Sequence, residues 1–274
     1  MLAAARSLRT EVFRAAPSAD SPATHDLQES QKSLGSRRPV ERAVLCGDLW
    51  TAIAADHLYG ASLVLRDGTT GFGLFPLLRS VVEHCTLAVW VLDERVTAPI
   101  RGARAAVCEV RSAEGETAST SHMYGRDSDY FRDARRRLTQ IQEEIKSEEA
   151  GFAALGLTVE YGKPPKPTDI VMDYGARLGN PVVWQGVYDF MCSMATHPNL
   201  DAVGLASVTP EGVSTGFTLP SRFIKSLLPY AIRPYLAAIS RLGAYMGWEW
   251  REQVDAYSGR VDSVLSAMNK EETG

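Results

Sequence analysis

The chain has 274 residues, of which 45% are hydrophobic and 23% charged, and its formal net charge is −4. This length and composition are typical of a globular protein with a substantial core. The acidic balance argues against a nucleic-acid-binding protein that is strongly basic overall.

We expect no targeting or membrane-spanning segment in this sequence. Residues 1–6 are too short and too soon charged to form the apolar region of a signal peptide. The longest apolar segment, Leu227–Met246, is interrupted by Arg233 and Arg241, so we do not expect it to cross a bilayer. We therefore predict a cytoplasmic protein without membrane contact.

Four cysteines occur, and no two of them form a CxxC pair. Each lies in an apolar segment of helical pattern, which is typical of free thiols that act as small hydrophobic side chains in a reducing compartment. We therefore expect neither disulfides nor a cysteine metal site from Cys46, Cys85, Cys108 and Cys192.

Residues 1–39 are predicted to form a mobile leader and linker. Apolar residues recur only at loose helical spacing in its first part, and the segment Pro17–Pro39 is rich in Ser, Pro, Gln and Arg. Residues 40–274 are predicted to form a single helical-bundle domain.

Three helices are predicted in the first part of that domain. Apolar residues recur at three- and four-residue steps from Val40 until Asp67-Gly68 ends the pattern. The next helix, Gly73–Asp93, is apolar on every side after Leu87, and such a helix is expected in the middle of a bundle. A third helix over Ala98–Ser112 is followed by a predicted polar loop at Glu114–Ser121.

Residues 128–155 are predicted to form a projecting helical hairpin arm. Phe131, Ala134, Leu138, Ile141 and Ile145 follow the narrow seam spacing of a coiled coil. The other face is predicted to be solvated and to pair its own charges; it carries Arg132, Arg135, Arg136, Arg137, Glu143, Glu144, Glu148 and Glu149.

Three elements are predicted between residues 163 and 217. The proline-rich segment Lys163–Pro167 forms a rigid loop, because proline lacks the amide hydrogen that a helix needs. A short helix follows, ending near Leu178, and Asn180-Pro181 begins another that ends at His197. The Gly, Ser, Thr and Val content of residues 203–217 predicts a small β-hairpin or structured loop.

The chain closes with a long helical region, Pro220–Met268, which is predicted to bend at Pro229 and Pro234. Its last part carries apolar residues at seam spacing. We therefore expect a homodimer formed through this C-terminal helix or through the helical arm.

The common catalytic and cofactor signatures are absent from the sequence, so no cofactor is expected. There is no phosphate loop, no nucleophile elbow and no complete dinucleotide-binding glycine pattern. The five histidines lack HxxxH or HExxH spacing, and no metal ligand is assigned. A metal enzyme using Asp56, His57, Glu83 and His197 stays open as an alternative.

One polar constellation stands out in the apolar second helix. Arg79 and Glu83 lie four residues apart and share a helix face. Charges withdrawn from water must be paired and hydrogen-bonded, so this pair requires further partners. The helix after Pro181 offers Ser193 and His197 on one flank and Tyr188 on the other.

If these two helices pack together, a guanidinium, a carboxylate, a hydroxyl and an imidazole converge. Such a set binds an anion, holds a polar ligand or transfers protons. The alternative is structural: a surface ion pair, and a histidine that ends its helix beside a proline. The predicted ligand-binding residues are Arg79, Glu83, Tyr188, Ser193 and His197.

These residues also carry a resemblance. The run Leu77–Asp93, with Arg-x3-Glu, a Trp and then Leu-Asp, is similar to a motif of a broad group of uncharacterised helical bacterial proteins. Pro165–Thr168 and the Tyr-x4-Ser-x3-His run ending at His197 resemble its second motif. The match covers about residues 40–200. It implies a helical bundle in which these polar residues act together, and it carries no activity.

Arg79-x4-His84 matches the spacing of the Arg-x4–6-His signature of the HEPN family of helical RNases and toxins. The resemblance implies an arginine that holds phosphate and a histidine that transfers protons, often across a dimer. The sequence departs from it because five residues place the two side chains about 140° apart around a helix.

Taken together, the sequence predicts a soluble regulatory or interaction protein whose polar cluster binds a small polar or anionic ligand. The main alternative is a HEPN-like, metal-independent RNase acting on RNA, for which the catalytic candidates are Arg79, His84 and His197. A metal-dependent enzyme is the further alternative.

Overall fold

The structure, a computed structural model, describes residues 2–14, 16–66, 73–156, 165–196 and 221–270. Within these ranges it contains ten α-helices, a short 3₁₀ helix at Leu2–Ala4 and no strand, which confirms the predicted all-α helical fold. The helices are α1 Ala5–Val12, α2 Pro22–Leu34, α3 Arg38–Arg66, α4 Leu74–Val91, α5 Ala98–Tyr124, α6 Asp129–Ala154, α7 Pro167–Arg177, α8 Pro181–Thr196, α9 Ser221–Met246 and α10 Arg251–Lys270.

The chain divides into two compact units. The first unit consists of residues 1–16, 47–90 and 166–274, and the second of residues 17–46 and 91–165. The hairpin predicted at residues 203–217 lies outside the described residues.

The N-terminal segment differs from the predicted mobile leader, because its first part is folded into the first unit. Leu8 and Val12 on α1 are buried, and the hydroxyl of Tyr235 donates to the Ala5 carbonyl at 2.6 Å. The loose apolar spacing of this segment is therefore one buried face of a short amphipathic helix.

The rest of the predicted linker forms α2 of the second unit. The Ser21 side chain accepts a hydrogen bond from the Thr24 amide, and Pro22 is the first helical residue, so α2 has a strong start signal despite its polar composition. Leu27 of α2 packs with Val40 and Ala98 in a small apolar cluster.

Helix α4 supplies the core of the first unit, as its apolar composition predicts. Six side chains of its first three turns are completely buried. Within the described ranges, α4 is also the helix that is long and apolar enough to cross a membrane; 56% of it is buried in the fold, which is typical of a core helix. The six side chains are Leu74, Phe75, Leu78, Val81, Val82 and Cys85.

Helices α5 and α6 form a helical hairpin in the second unit. Ala106, Ala113, Ile141 and Ile145 make up its buried core. Helix α6 agrees with the long helix predicted for the arm, but the polar loop predicted at Glu114–Ser121 is wrong, since α5 continues through it. The weak helix propensity of this stretch is overridden by packing of α5 against α6.

The C-terminal region consists of two helices rather than one bent helix. Pro229 and Pro234 lie inside α9, which ends where Gly247 adopts the left-handed conformation with φ +66°. The Trp248 amide donates to the Gly243 carbonyl at 2.9 Å, a hydrogen bond typical of helix ends that use a left-handed glycine. Gly247 therefore sets the break between α9 and α10.

Candidate functional site

Helices α4 and α8 bring together three of the predicted site residues. The Nε of Arg79 donates to Oε1 of Glu83 at 2.8 Å, and the Tyr188 hydroxyl donates to the same oxygen at 2.5 Å. The guanidinium carbon of Arg79 lies 6.0 Å from the centroid of the Tyr188 ring. With Cys192, which is one helical turn beyond Tyr188, these residues form what we call the Arg79 cluster.

The turn between α7 and α8 fixes where α8 begins. Gly179 adopts the left-handed conformation with φ +77°, and the Asn180 amide donates to the Gly175 carbonyl at 3.0 Å. The Asn180 side chain then accepts from the Val183 amide at 3.3 Å, and Pro181 begins the helix.

The packing of α7 against α8 then positions the Tyr188 side chain. A Cβ on Gly175 would lie only 2.7 Å from Cβ of Trp184, so the two helices approach as closely as a glycine allows. Trp184, Tyr188, Met191 and Met194 are buried on one side of α8. Tyr188 is therefore held by the packed face of its helix, and only its hydroxyl reaches the polar group on α4.

The protonation states of the cluster follow from its surroundings. Burial raises the pKa of Tyr188 well above its ordinary value, and the hydrogen bond and charge of Glu83 raise it further. Burial lowers the pKa of Arg79, but the hydrogen bond and charge of Glu83 outweigh this and the net direction is upward. The cluster therefore contains a cationic arginine and a neutral phenol that donates to Glu83.

Cys192 also keeps its proton near neutral pH. Burial raises the pKa of its thiol, while the hydrogen bond with Tyr188 and the charge of Arg79 lower it, and the net direction is upward. This environment does not produce the reactive thiolate that a nucleophilic cysteine needs.

The cluster is partly open to solvent rather than fully buried. The Arg79 and Glu83 side chains are 28% and 22% exposed, whereas Tyr188 is 3% exposed. Arg79 uses Nε to hold Glu83, and its two terminal nitrogens donate no hydrogen bond to another described residue. A fixed guanidinium with unused donors is thus accessible from solvent.

Of the two remaining predicted partners, only Ser193 lies within the described residues. Ser193 is half-buried on α8, and no described hydrogen bond joins it to the Arg79 cluster. His197 lies outside the described residues. The sequence predicted that the Ser193 hydroxyl faces Glu83. In the structure, the hydroxyl that donates to Glu83 belongs to Tyr188, on the other flank of α8.

Arg79 and His84, the pair expected for HEPN-type chemistry, contact different helices. Arg79 contacts α8 through Tyr188, whereas the His84 ring lies 6.0 Å from the ring of His57 on α3. Burial is the largest cause that lowers the pKa of His57, and the charge of His84 lowers it further. The charge of Asp56 raises this pKa, but by less, so the net direction is downward. The described contacts of the two side chains of the signature are therefore with different helices.

A buried charge network in the second unit was missed by sequence reasoning. Arg42 is 2% exposed; its Nη1 lies 2.9 Å from both carboxylate oxygens of Glu148, and its Nε lies 2.5 Å from Glu109. Glu144 accepts at longer distance, 3.4 Å from Arg42 and 3.3 Å from Arg38.

This network corrects the prediction that the whole charged face of α6 is solvated, because Glu148 is buried against Arg42. The four-residue spacings Arg38–Arg42 and Glu144–Glu148 are visible in the sequence. They show which charges share a helix face. They do not show that α3 and α6 face each other.

No group of three or more His, Cys, Asp or Glu side chains within the described ranges is arranged to hold a metal ion. In the alternative metal set, Asp56 is paired with Arg6 at 2.6 Å and Glu83 with Arg79. No disulfide joins any two of Cys46, Cys85, Cys108 and Cys192.

The geometry of the Arg79 cluster suits binding of an anion. A carboxylate or phosphate pairs with two nitrogens of one guanidinium at once, and the edge of Arg79 opposite Glu83 offers two. Comparisons with protein-family models, curated proteins and solved structures found no match.

Proposed function

We propose that this is a regulatory or interaction protein that binds a small polar ligand with an anionic group at the Arg79 cluster. The observation that carries the proposal is the state of Arg79, a half-buried guanidinium held by Glu83 whose terminal nitrogens have no described partner. A cation fixed before binding loses little conformational freedom when a ligand arrives.

The hydrogen bonds within the cluster favour an anion over a cation as the ligand. Glu83 already accepts from both Arg79 and Tyr188, so its charge is largely satisfied inside the protein. Arg79 still has donors to offer. Its position near the face of the Tyr188 ring adds a cation–π attraction that holds the guanidinium in place.

The same hydrogen bonds support binding rather than proton transfer. A general base needs a free lone pair directed at its substrate. Oε1 of Glu83 is held by two donors, and the raised pKa of Tyr188 keeps its phenol protonated near neutral pH. We also propose that the protein is cytoplasmic and forms a homodimer through α10 or α6.

The test is a thermal-shift screen of the full-length protein against phosphate, pyrophosphate, citrate, nucleoside phosphates and small carboxylic acids. A ligand that binds the folded state raises Tm in proportion to its occupancy. We expect at least one of these anions to raise Tm of the wild type, and Arg79→Met to abolish the shift.

Arg6 provides a matched control. It also pairs with a carboxylate, Asp56 at 2.6 Å, and its guanidinium carbon lies 4.1 Å from the centroid of a tyrosine ring, Tyr59. Arg6→Met should therefore leave the ligand-induced shift intact. The proposal fails if no anion shifts Tm, or if the shift survives in Arg79→Met.

A further inference from the structure

A pair of histidines joins α3 to α4 in the first unit. The ring centroids of His57 and His84 are 6.0 Å apart, with an angle of 34° between the ring planes. Both residues are half-buried, so an ion and water can reach them. Because His84 contacts α3 and Arg79 contacts α8, this pair is separate from the Arg79 cluster.

Contacts on α4 fix which nitrogen of His84 carries the hydrogen. Its Nδ1 lies 2.7 Å from the backbone carbonyl oxygen of Ser80, and a carbonyl only accepts hydrogen bonds. Nδ1 is therefore the donor, and Nε2 keeps its lone pair. Metal-bound histidines usually show this arrangement, in which one ring nitrogen donates to a carbonyl or carboxylate and the other binds the ion.

The distance between the rings fits two imidazoles on one ion. A metal–nitrogen bond of about 2.1 Å places each ring centre about 3.2 Å from the ion, so two such centres are at most about 6.4 Å apart. Tetrahedral ligands would bring them to about 5.2 Å. The observed 6.0 Å lies between these values, and a small rotation of one half-buried ring covers the range.

Asp56, the charged residue next to His57 in the chain, is held by another side chain. Asp56 pairs with Arg6 at 2.6 Å, whereas His57 forms no hydrogen bond with another described residue. No third His, Cys, Asp or Glu of the described residues joins the two rings in a metal-holding group, so this place offers two nitrogen ligands. Water completes the coordination shell of an ion bound there.

We propose that His57 and His84 form a binding site for a divalent late first-row transition-metal ion, Cu²⁺, Ni²⁺ or Zn²⁺. Imidazole suits these three ions, and among them Cu²⁺ binds a given set of nitrogen ligands most tightly. An ion held by both rings links α3 to α4 and stabilises the folded first unit in proportion to its occupancy.

The experiment uses the untagged full-length protein after treatment with EDTA. Titration with Ni²⁺ and with Cu²⁺ in a calorimeter should give one equivalent of each, with Cu²⁺ binding at least tenfold more tightly. Ni²⁺ should also raise Tm. The electron paramagnetic resonance spectrum of the Cu²⁺ form should show two nitrogen ligands.

Histidine variants separate this site from chance binding at the surface. His57→Asn and His84→Asn should each weaken Ni²⁺ binding at least tenfold. His25→Asn and His122→Asn, which replace exposed histidines, should leave it unchanged. Circular dichroism confirms that each variant is folded, and if His84→Asn does not fold, His57→Asn alone decides. The proposal is overturned if the wild type binds no Ni²⁺, or if binding persists without His57.

Discussion

The hydroxyl of Tyr188 donates to Oε1 of Glu83 at 2.5 Å and joins two helices whose residues are 105 positions apart in the chain. The same oxygen accepts from Arg79 on its own helix. A single carboxylate oxygen thus orients the arginine of the cluster and ties α8 to α4.

Removing this hydroxyl should destabilise the protein. A hydrogen bond to a charged group contributes about 1.5–3 kcal/mol, and Tyr188→Phe removes it while keeping the ring. Urea denaturation followed by circular dichroism measures the loss. Tyr130→Phe, at an exposed tyrosine, should change the free energy of unfolding by less than about 0.5 kcal/mol. An equal effect of both variants would contradict a role for this hydrogen bond.

A methyl group added to α7 should disturb the cluster from a distance. In Gly175→Ala the new Cβ would lie 2.7 Å from Cβ of Trp184, one turn before Tyr188, so α8 must shift. We expect a loss of about 1–3 kcal/mol in the free energy of unfolding and a weaker thermal shift with any anion that binds the wild type.

Gly186→Ala, on α8 itself, is the matched control. Among the described residues, no atom outside its own stretch of helix lies within 4 Å of the new Cβ. Alanine favours helix over glycine, so the variant should be stabilised by up to about 1 kcal/mol. Equal stability of the Gly175 and Gly186 variants would show that the close approach of α7 and α8 does not constrain the cluster.

Arg42→Met should be among the most destabilising single changes in the second unit. It leaves Glu109 and Glu148 without their buried cation, and breaking a buried ion pair costs about 3–5 kcal/mol. Arg136→Met removes an arginine that is 78% exposed and pairs with Asp133, and it should change stability by less than about 0.5 kcal/mol. Chemical denaturation of both variants decides between a structural and a dispensable network.

The thiols should differ in reactivity according to their burial. The pKa of the Cys46 thiol and that of the Cys108 thiol are raised from an ordinary value of 9.0 to about 12, and burial is the largest cause of each shift. Iodoacetamide at pH 8 should therefore label Cys192 before these two, and the fully buried Cys85 last. Mass spectrometry of a labelling time course measures the order in which the cysteines react. This order should disappear when the chain is unfolded in guanidinium.

The same shifts predict how stability depends on pH. As pH rises, the unfolded chain releases the protons of Cys46 and Cys108 before the folded chain does. The stabilisation from keeping these thiols neutral is complete below about pH 9 and is lost as pH rises toward 12. Cys46→Ala combined with Cys108→Ala should flatten the decline in stability between these pH values. If stability declines as steeply in the double variant as in the wild type, the decline arises from other titrating groups.

Local sequence patterns determined most helices and one part of the site. The bounds of α4, α6 and α8 agree with their predicted positions to within a few residues, because apolar periodicity, prolines and capping residues act between near neighbours. The Arg79–Glu83 pair follows from four-residue spacing alone, and the structure shows it.

Tertiary packing decided the rest. Pro17–Pro39 looks like a linker when read alone, and Glu114–Ser121 looks like a loop, because each is polar by composition. The structure nevertheless has α2 in the first segment, and α5 continues through the second. Tyr188, rather than Ser193, meets Glu83, and Arg42 meets Glu148 from 106 residues away. Spacing along one helix fixes which side chains share a face, but only the packing of two helices fixes which faces meet.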